Sequence, residues 1–479
     1  MSQPGPIPYR FDVTHSTSAV HEAYDSLDDG EETGQIVTVA GRVMLLRDQG
    51  KLAFAELRDS SGPIQLFVLS KVVDDFAGFT GLDLGDWIGA TGEVVKTRRG
   101  ELSIKLHTFT LLARAERNFG DKWHGINDPD LRYRQRYADL WANEGSREVF
   151  QARSKIMSLT RRWLEERDFV EVETPVFHPI SGGAHARPFT THHNALDTEL
   201  SLRIAPELYL KRLVVGGFER VFEIARVFRN EGLSTRHNPE FTMLELYQAY
   251  ADYSDVMELT EQLVAHLATE LHGTTELTYQ GRDLDLTAPW RRASMIELIE
   301  DAIGVRLDVR MDLAEIRAIA TDHGVPFEES WGQGKLILEI YEKTTEADLW
   351  GPIFVTDYPQ EVSPLARTHR EIPGLTERFE AIVAGRELLN AFTELQDPAE
   401  QRARFTDQVA QKEAGDAEAM AVDEDYLRAL EYGLPPTAGL GIGMDRLVML
   451  LTDRSSVRDV LLFPTLRPEH NDSPSDPAT

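Results

Sequence analysis

The chain has 479 residues, a formal net charge of −30 and no cysteine, which excludes disulfides, thiolate metal sites and a cysteine nucleophile. Its length suggests about two to four domains, and no apolar run approaches the ~20 residues of a membrane span. The polar N-terminus lacks the basic and apolar regions of a signal peptide. We therefore expect a soluble cytoplasmic protein with no membrane partner.

Residues 1–32 are polar and acidic, and we expect a loosely attached N-terminal extension. Five short strand-like segments with glycine-containing turns follow within residues 33–115. Five such strands indicate a small barrel, most simply an OB-fold, which often binds oligonucleotides through exposed aromatic and basic residues. Phe54, Gln65 and Phe67 can serve this purpose on the second and third strands. The alternative is that both phenylalanines belong to the core.

The net charge of −30, taken alone, argues against a nucleic-acid partner, because phosphate binding needs lysine and arginine. Net charge is an average, however, and basic residues do cluster locally. The two clusters are Lys96, Arg98, Arg99 and Lys105, and Arg132, Arg134 and Arg136. Either cluster can bind phosphate, and either can equally be a solvated surface.

After a polar connector at residues 116–145, the chain mixes helices and strands. Apolar residues three or four apart from Val149 to Trp163 predict an amphipathic helix, and Val170 to Pro175 reads as a strand. A helix from Glu207 to Val215 is followed by the nearly continuous apolar run Phe218 to Phe228, which predicts a central buried strand. Residues 290–350 look like a helical insertion, and residues 469–479 are expected to be disordered.

The segment from Phe228 to Tyr247 carries the strongest functional signal. Two strand-like runs flank a loop rich in glycine, asparagine and proline, which predicts a hairpin. Alternation along the second strand places four side chains on one face: Phe241, Met243, Glu245 and Tyr247. That mixture is unusual for a core, and the nearby Arg229 and Arg236 can hold phosphate or carboxylate oxygens.

Two further segments suggest phosphate and metal chemistry. Alternation puts Asn390, Phe392 and Glu394 on one strand face, with Glu387 on the other face or at the strand entry. Glu380 and Glu387 can converge across a bend, and paired carboxylates beside phosphates are typical anchors for Mg²⁺. The glycine run from Gly439 to Arg446 precedes a helix, where the backbone favours anions, although a tight packing turn would look the same.

Together these segments resemble the class II lysyl-tRNA synthetase family, from about Val39 to Pro468. Val170–Pro175 is similar to motif 1, Phe228–Tyr247 to motif 2 and Gly439–Arg446 to motif 3. The segments Gly182–Phe189 and Ala205–Lys211 are similar to the lysine-type versions of the family. The resemblance implies an α+β fold with an antiparallel sheet flanked by helices in residues 146–468, and an N-terminal five-stranded OB-fold that binds the tRNA anticodon.

The resemblance also implies substrates and residue roles. It implies ATP, L-lysine and the tRNA for lysine as substrates, Mg²⁺ as cofactor at Glu380 and Glu387, and a homodimer through motif 1. Arg229 and Arg446 would be catalytic. ATP would be bound by Arg229, Glu231, His237, Asn238, Phe241, Glu387 and Arg446. Lysine would be bound by Gly182, Glu207, Arg229, Glu245, Tyr247, Asn390, Phe392 and Glu394. The anticodon would contact Arg42, Phe54, Gln65 and Phe67.

The side chains themselves agree with a lysine substrate, because Glu245 and Glu394 bring two carboxylates to one pocket, as an ε-ammonium requires. Two alternatives stay open. The chain can be a paralog that makes lysyl-adenylate for a non-tRNA acceptor, or a non-catalytic nucleic-acid-binding relative. The presence of Arg229, Glu387 and Arg446 argues against the second alternative.

Overall fold

The computed structural model describes residues 7–117, 126–143, 145–413 and 418–469. The chain divides into two compact units, Met1–Glu144 and Gly145–Thr479, which are described separately below. No helix within the described ranges is both long and apolar enough to span a membrane. The predicted tail at residues 469–479 lies outside these ranges apart from Glu469, and so does part of the predicted connector.

The first unit contains the predicted five-stranded OB-fold barrel, which is confirmed. The strands close in the order β1-β2-β3-β5-β4. Side chains along each strand alternate between the barrel core and its outer surface. The strands are β1 (Glu32–Asp48), β2 (Leu52–Arg58), β3 (Pro63–Leu69), β4 (Trp87–Lys96) and β5 (Leu102–Ala113).

The expectation of a loosely attached N-terminal extension is wrong. It contains α1 (Thr17–Tyr24), where Thr17 and Val20 are fully buried. The backbone N–H and Oγ1 of Thr17 donate to the two carboxylate oxygens of Asp59 at 2.8 and 2.7 Å, and Val20 joins the barrel core. Residues 17–24 are therefore part of the barrel domain.

Further short helices among the described residues of this unit are α2 (Phe76–Thr80), α3 (Pro129–Arg134) and α4 (Arg136–Ala142). The basic cluster at Arg132, Arg134 and Arg136 lies on α3 and α4 and is not simply a solvated surface. Arg136 is 1% exposed and donates to Asp139 at 2.6 Å, and Arg132 donates to the other oxygen of Asp139 at 2.7 Å. These two cations therefore hold the connector helices together.

The second unit is built on an eight-stranded sheet in the order β14-β15-β16-β17-β18-β11-β10-β6. Neighbouring strands are antiparallel except for the pair at each edge, so the predicted antiparallel sheet is confirmed. The strands are β6 (Val170–Glu171), β7 (Phe177–His178), β8 (Thr190–His193), β9 (Thr198–Leu202), β10 (Arg220–Phe228), β11 (Glu240–Ala249), β12 (Glu276–Tyr279), β13 (Arg282–Asp285), β14 (Arg291–Ser294), β15 (Ile353–Thr356), β16 (Arg378–Ile382), β17 (Glu387–Thr393) and β18 (Thr437–Gly443).

One strand prediction was wrong in position. The apolar run to Phe228 forms β10, but β10 lies second from the edge, next to the two-residue β6. Helix packing explains its apolar sequence, because Phe222 belongs to the main core and Val221 packs with residues of α6. A continuous apolar run reports burial on both faces of a strand and does not report its place in the sheet.

Helices cover the sheet: α5 (Ser146–Glu165), α6 (Glu207–Val215), α7 (Tyr253–His272), α8 (Met295–Ile303), α9 (Leu313–Asp322), α10 (Gln333–Thr344), α11 (Pro398–Glu413), α12 (Glu424–Glu431), α13 (Met444–Leu451) and α14 (Val457–Val460). Helices α5 and α7 pack on each other, and the main core runs between them and the sheet. Helices α8 to α10 occupy the predicted insertion and share a separate core with β15. The strands on either side of them belong to the main sheet.

Candidate active site

A cavity of about 450 Å³ opens on one face of the central strands. It is bounded by the β10–β11 hairpin, the β16–β17 hairpin, and the junction of β18 with α13. Thirteen of the residues predicted for ATP, lysine or metal line it: Glu207, Arg229, Glu231, His237, Asn238, Phe241, Glu245, Tyr247, Glu380, Glu387, Asn390, Phe392 and Arg446. The structure therefore brings together residues that are up to 239 positions apart in the sequence, from Glu207 to Arg446.

The β10–β11 hairpin supplies the aromatic and cationic wall. Its strands pair from Arg220 with Gln248 to Phe228 with Glu240, so the predicted hairpin is confirmed. Phe241, Glu245 and Tyr247 face the cavity together, as alternation along a strand requires. The guanidinium carbon of Arg229 lies 5.1 Å from the centroid of the Phe241 ring, which leaves a cation beside an aromatic surface.

The loop of this hairpin is tied down at two points. The imidazole Nδ1 of His237 lies 3.1 Å from the Ser234 hydroxyl. The amide of Asn238 donates to the Glu240 carbonyl at 2.7 Å and accepts from the Thr465 N–H at 3.1 Å. Asn238 therefore lines the cavity, and the two hydrogen bonds of its side-chain amide fix the position of the loop.

A β-bulge explains how Glu387 reaches the cavity. Ala381 pairs with Leu389 but Ile382 pairs with Glu387, so β17 has one extra residue at this point. The bulge changes the alternation, and Glu387 lines the same cavity as Glu380 and Asn390. Strict alternation had left Glu387 either on the opposite face or at the strand entry.

The two carboxylates expected to hold Mg²⁺ line the same cavity, and each is paired with an arginine. Burial and the neighbouring Glu387 raise the pKa of Glu380 to about 8. Arg378 donates to Glu380 at 2.6 Å, and Arg446 donates to Glu387 at 2.9 Å. No group of three or more metal-binding side chains is present in the described ranges. Two carboxylates fit Mg²⁺, which commonly takes one or two from the protein and the rest from phosphate and water.

The far end of the cavity is acidic, and its carboxylates are buried. Glu207 and Glu245 are 7% and 4% exposed, and the Tyr247 hydroxyl donates to Glu245 at 3.1 Å. Burial and the charge of Glu207 raise the pKa of Glu245 well above its ordinary value. Such a pair of carboxylates favours a cationic ligand, because a positive charge would remove their repulsion.

Glu394 and Gly182 are placed differently from the other predicted residues. Glu394 is fully buried behind the cavity wall, where it forms an ion pair with Lys211. Gly182 is also buried, and its neighbour Gly183 lines the cavity instead. A Cβ at Gly183 would lie 3.1 Å from the Cβ of Glu207, at a backbone φ of +88°, so only glycine fits there without strain. The roles given to Glu394 and Gly182 stay predictions.

Sequence reasoning assigned no role to two residues that organise the site. Arg378 lines this cavity and a neighbouring one of about 740 Å³, and its Nε donates to Asn390 at 2.8 Å. Lys211 is fully buried between Glu207 and Glu394. A signal for Lys211 was available, because Glu207 and Lys211 are four residues apart on one helix.

The predicted anticodon residues of the barrel are only partly together. Phe54 and Phe67 are paired on adjacent strands and stack with centroids 5.6 Å apart. Both lie outside the barrel core, so the alternative that they are core residues is wrong. Gln65 also faces outward and donates to Ser103 at 2.7 Å.

Arg42 does not share that surface. Its guanidinium lies 4.7 Å from the Trp87 ring and 5.3 Å from the Trp141 ring, and it donates to the Gly85 carbonyl at 2.7 Å. The exposed Arg47, which pairs with Phe54 across the strands, is the better-placed cation. The sequence gives no basis for choosing between the two arginines without the register.

The fold and this site define a class of protein. Residues 128–467 match the model of the family described as tRNA synthetases class II (D, K and N), and residues 37–112 match the OB-fold nucleic acid binding domain. The chain belongs to the class II tRNA synthetases of the D, K and N group.

Individual relatives narrow the class further. A lysine–tRNA ligase of Moorella thermoacetica is 53% identical over 96% of this chain and 93% of its own length. A lysine–tRNA ligase of Parasynechococcus marenigrum is 54% identical over 97% of this chain and 94% of its own length. A Prochlorococcus marinus lysine–tRNA ligase is 52% identical over 97% and 94% respectively. Each likeness covers both units of the chain.

Proposed function

We propose that this protein is an ATP-dependent lysine–tRNA ligase that forms lysyl-adenylate and transfers the lysyl group to tRNA. The observation that carries the choice of amino acid is the acidic end of the cavity. Three carboxyl groups are buried there, those of Glu207, Glu245 and Glu394. One buried ammonium, that of Lys211, pairs with two of them. Lysine brings two amino groups, whereas aspartate or asparagine would bring one and would add no cation at the side-chain end.

The cationic half of the cavity suits the phosphates of ATP. We assign Arg229 to the lysine carboxylate and the α-phosphate, Phe241 to stacking on adenine, and Arg446 to the outer phosphates. Burial lowers the pKa of Arg229, opposed by the charges of Glu231 and Glu387, yet an arginine keeps its proton at neutral pH. Its fixed charge can therefore stabilise the transition state without reorganisation.

The first step needs no nucleophile from the protein. An oxygen of the lysine carboxylate attacks the α-phosphorus of ATP, the bond to the β-phosphate oxygen breaks, and pyrophosphate leaves. The chain contributes position and charge: Glu207 orients the α-ammonium, and Arg229 holds both reacting groups. Bound Mg²⁺ would be held by Glu380 and Glu387 and would neutralise phosphate charge.

In the second step a terminal ribose hydroxyl of tRNA attacks the lysyl carbonyl and AMP leaves. We place the anticodon on the outer barrel surface of Phe54 and Phe67, which can stack on bases. Because tRNA and ATP are its substrates, we place the enzyme in the cytoplasm.

We also propose a homodimer. Several large apolar side chains in and after β6 are between 37% and 53% exposed: Val170, Val176, Phe177 and Ile180. Val170 lies in the segment that resembles motif 1 and the other three follow it directly, and a second copy of the chain would cover them. Sedimentation equilibrium should give twice 54.0 kDa, and a value of one chain mass at micromolar concentration would contradict the proposal.

Charging of bulk tRNA with labelled amino acid tests the function. With ATP and Mg²⁺ present, we expect charging with lysine and none with aspartate or asparagine. Lysine-dependent exchange of pyrophosphate into ATP without charging would mean that the lysyl group goes to another acceptor. The absence of both pyrophosphate exchange and charging would contradict the proposed function as a whole.

A further inference from the structure

Lys211, on α6, is enclosed by charged and aromatic groups at the acidic end of the cavity. It is fully buried. Its Nζ donates to Glu207 Oε1 at 2.6 Å and forms an ion pair with Glu394 Oε2. The ring centroids of Phe392, Tyr247 and Tyr426 lie 5.2, 5.9 and 6.0 Å from the ammonium.

This arrangement is more than a balanced ion pair. A buried ammonium is retained where carboxylates compensate for its lost hydration. Although burial opposes it, Glu207 and Glu394 hold the pKa of Lys211 above its ordinary value. One ammonium nevertheless serves two carboxylates, and Glu245, whose pKa is raised by burial and by Glu207, adds a third carboxyl group nearby. The cluster is therefore short of positive charge.

Each carboxylate also has an oxygen that Lys211 does not use. Glu207 lines the cavity while its Oε1 is bonded to Lys211. Glu394 Oε1 is buried and has no hydrogen-bond partner. That oxygen lies 2.1 Å from the place where a Cβ on Gly439 would stand, and the same point is 2.4 Å from the ring of Tyr247, which lines the cavity. A buried oxygen without a partner is costly unless a ligand supplies a donor.

We propose that Lys211 is a positioning residue that makes the site specific for lysine. Its ammonium fixes the separation and orientation of Glu207 and Glu394, so that the remaining oxygen of each takes one of the two amino groups of the substrate. A diamine of the right length fits both oxygens, and a shorter one loses one of the two contacts. This inference rests on the proposed function.

The competing explanation is that Lys211 only stabilises the fold. A structural ion pair would affect the amount of active enzyme and its thermal stability, and would leave the choice between substrates unchanged. A positioning role affects the choice itself. The ratio of kcat/KM for lysine to kcat/KM for ornithine, whose side chain is one methylene shorter, separates the two explanations.

The experiment measures pyrophosphate exchange into ATP with lysine and with ornithine, on wild type, Lys211→Met, Lys211→Arg and Tyr426→Phe. Active sites are titrated so that unfolded protein does not count. Methionine keeps the shape of the side chain and removes its charge, whereas arginine keeps the charge and changes its geometry. Tyr426→Phe is the matched control, because its ring contacts the same ammonium and its buried hydroxyl has no hydrogen-bond partner.

We expect Lys211→Met to lower kcat/KM for lysine by about 100-fold, mainly through KM, with the KM for ATP unchanged. Lys211→Arg should lower the lysine-to-ornithine ratio at least tenfold, and Tyr426→Phe should keep the ratio of the wild type. A wild-type ratio in Lys211→Arg overturns the proposal. If wild type shows no lysine-dependent exchange, the proposed function has failed instead.

Should Lys211→Met fail to fold, Lys211→Arg carries the test alone, because it keeps the positive charge that Glu207 and Glu394 share. A lysine-to-ornithine ratio equal to that of wild type in this variant overturns the proposal.

Discussion

Adding one methyl group at Gly439 should damage lysine recognition specifically. Gly439 lies on β18, and its φ is not in the left-handed region, so alanine meets no backbone strain there. A Cβ would lie 2.1 Å from Glu394 Oε1, which is 1.3 Å inside the 3.4 Å at which ordinary contact begins. Either the carboxylate or the Tyr247 ring has to move.

Neither group can move freely. Glu394 is fully buried with its other oxygen on Lys211, and Tyr247 is 3% exposed with its hydroxyl on Glu245. Overpacking of this kind costs roughly 1–3 kcal/mol. We therefore expect kcat/KM for lysine to fall about 10- to 100-fold in Gly439→Ala, because each 1.4 kcal/mol is about tenfold.

Pyrophosphate exchange with varied lysine and then varied ATP is the assay, and the KM for ATP should change less than twofold. Gly441→Ala is the control for stability: it adds the same methyl to the same face of β18, where the nearest atom is 3.7 Å away. Thermal unfolding should be altered in Gly439→Ala and not in Gly441→Ala. Wild-type lysine kinetics in Gly439→Ala would refute this account of the pocket.

Three other perturbations have expected outcomes. Phe67→Ala removes half of the stacked pair with Phe54, and the KM for tRNA should rise because roughly 1–3 kcal/mol of stacking free energy is lost. Any loss of pyrophosphate exchange would contradict a role for Phe67 in anticodon binding alone. Thr17→Val removes the hydroxyl that donates to Asp59, and urea unfolding should show the barrel about 1–3 kcal/mol less stable, whereas an unchanged midpoint would argue against the N-terminal anchor. Burial lowers the pKa of His178 from 6.5 to about 4, so the folded state excludes a proton that the unfolded state binds, and stability should fall by up to about 3 kcal/mol as pH drops from 6.5 to 4. His178→Gln should lose that slope, and an identical slope in both proteins would rule out His178 as its source.

Most of the fold could be predicted from the sequence, because the local residue patterns agree with the elements that form. The five barrel strands and the β10–β11 hairpin follow from alternation and from turns rich in glycine, asparagine and proline. The same alternation placed Phe241, Glu245 and Tyr247 on one face, and they line one cavity. These patterns depend on residues that are close together in the sequence, so they can be read without knowing how distant segments pack.

The features that could not be predicted from the sequence depend on strand register and on packing between distant segments. The bulge at Leu388 brings Glu387 beside Glu380, and one inserted residue in a strand leaves no mark in the pattern of apolar residues. Arg42 was chosen as an anticodon contact although two tryptophans enclose it, one of them 99 residues away at Trp141. The attachment of α1 depends in the same way on Asp59, 42 residues beyond Thr17.

The net charge of −30 was the weakest guide, and the structure gives the reason. Charges interact over about 8 Å at physiological ionic strength, so a bound phosphate responds to the cavity around it and not to the average of the chain. Arg229, Arg236, Arg378 and Arg446 all line that cavity. Carboxylates of the same wall pair with two of these arginines and keep them in place. An acidic protein can therefore bind a polyanionic substrate, provided that its cations are held where the phosphates arrive.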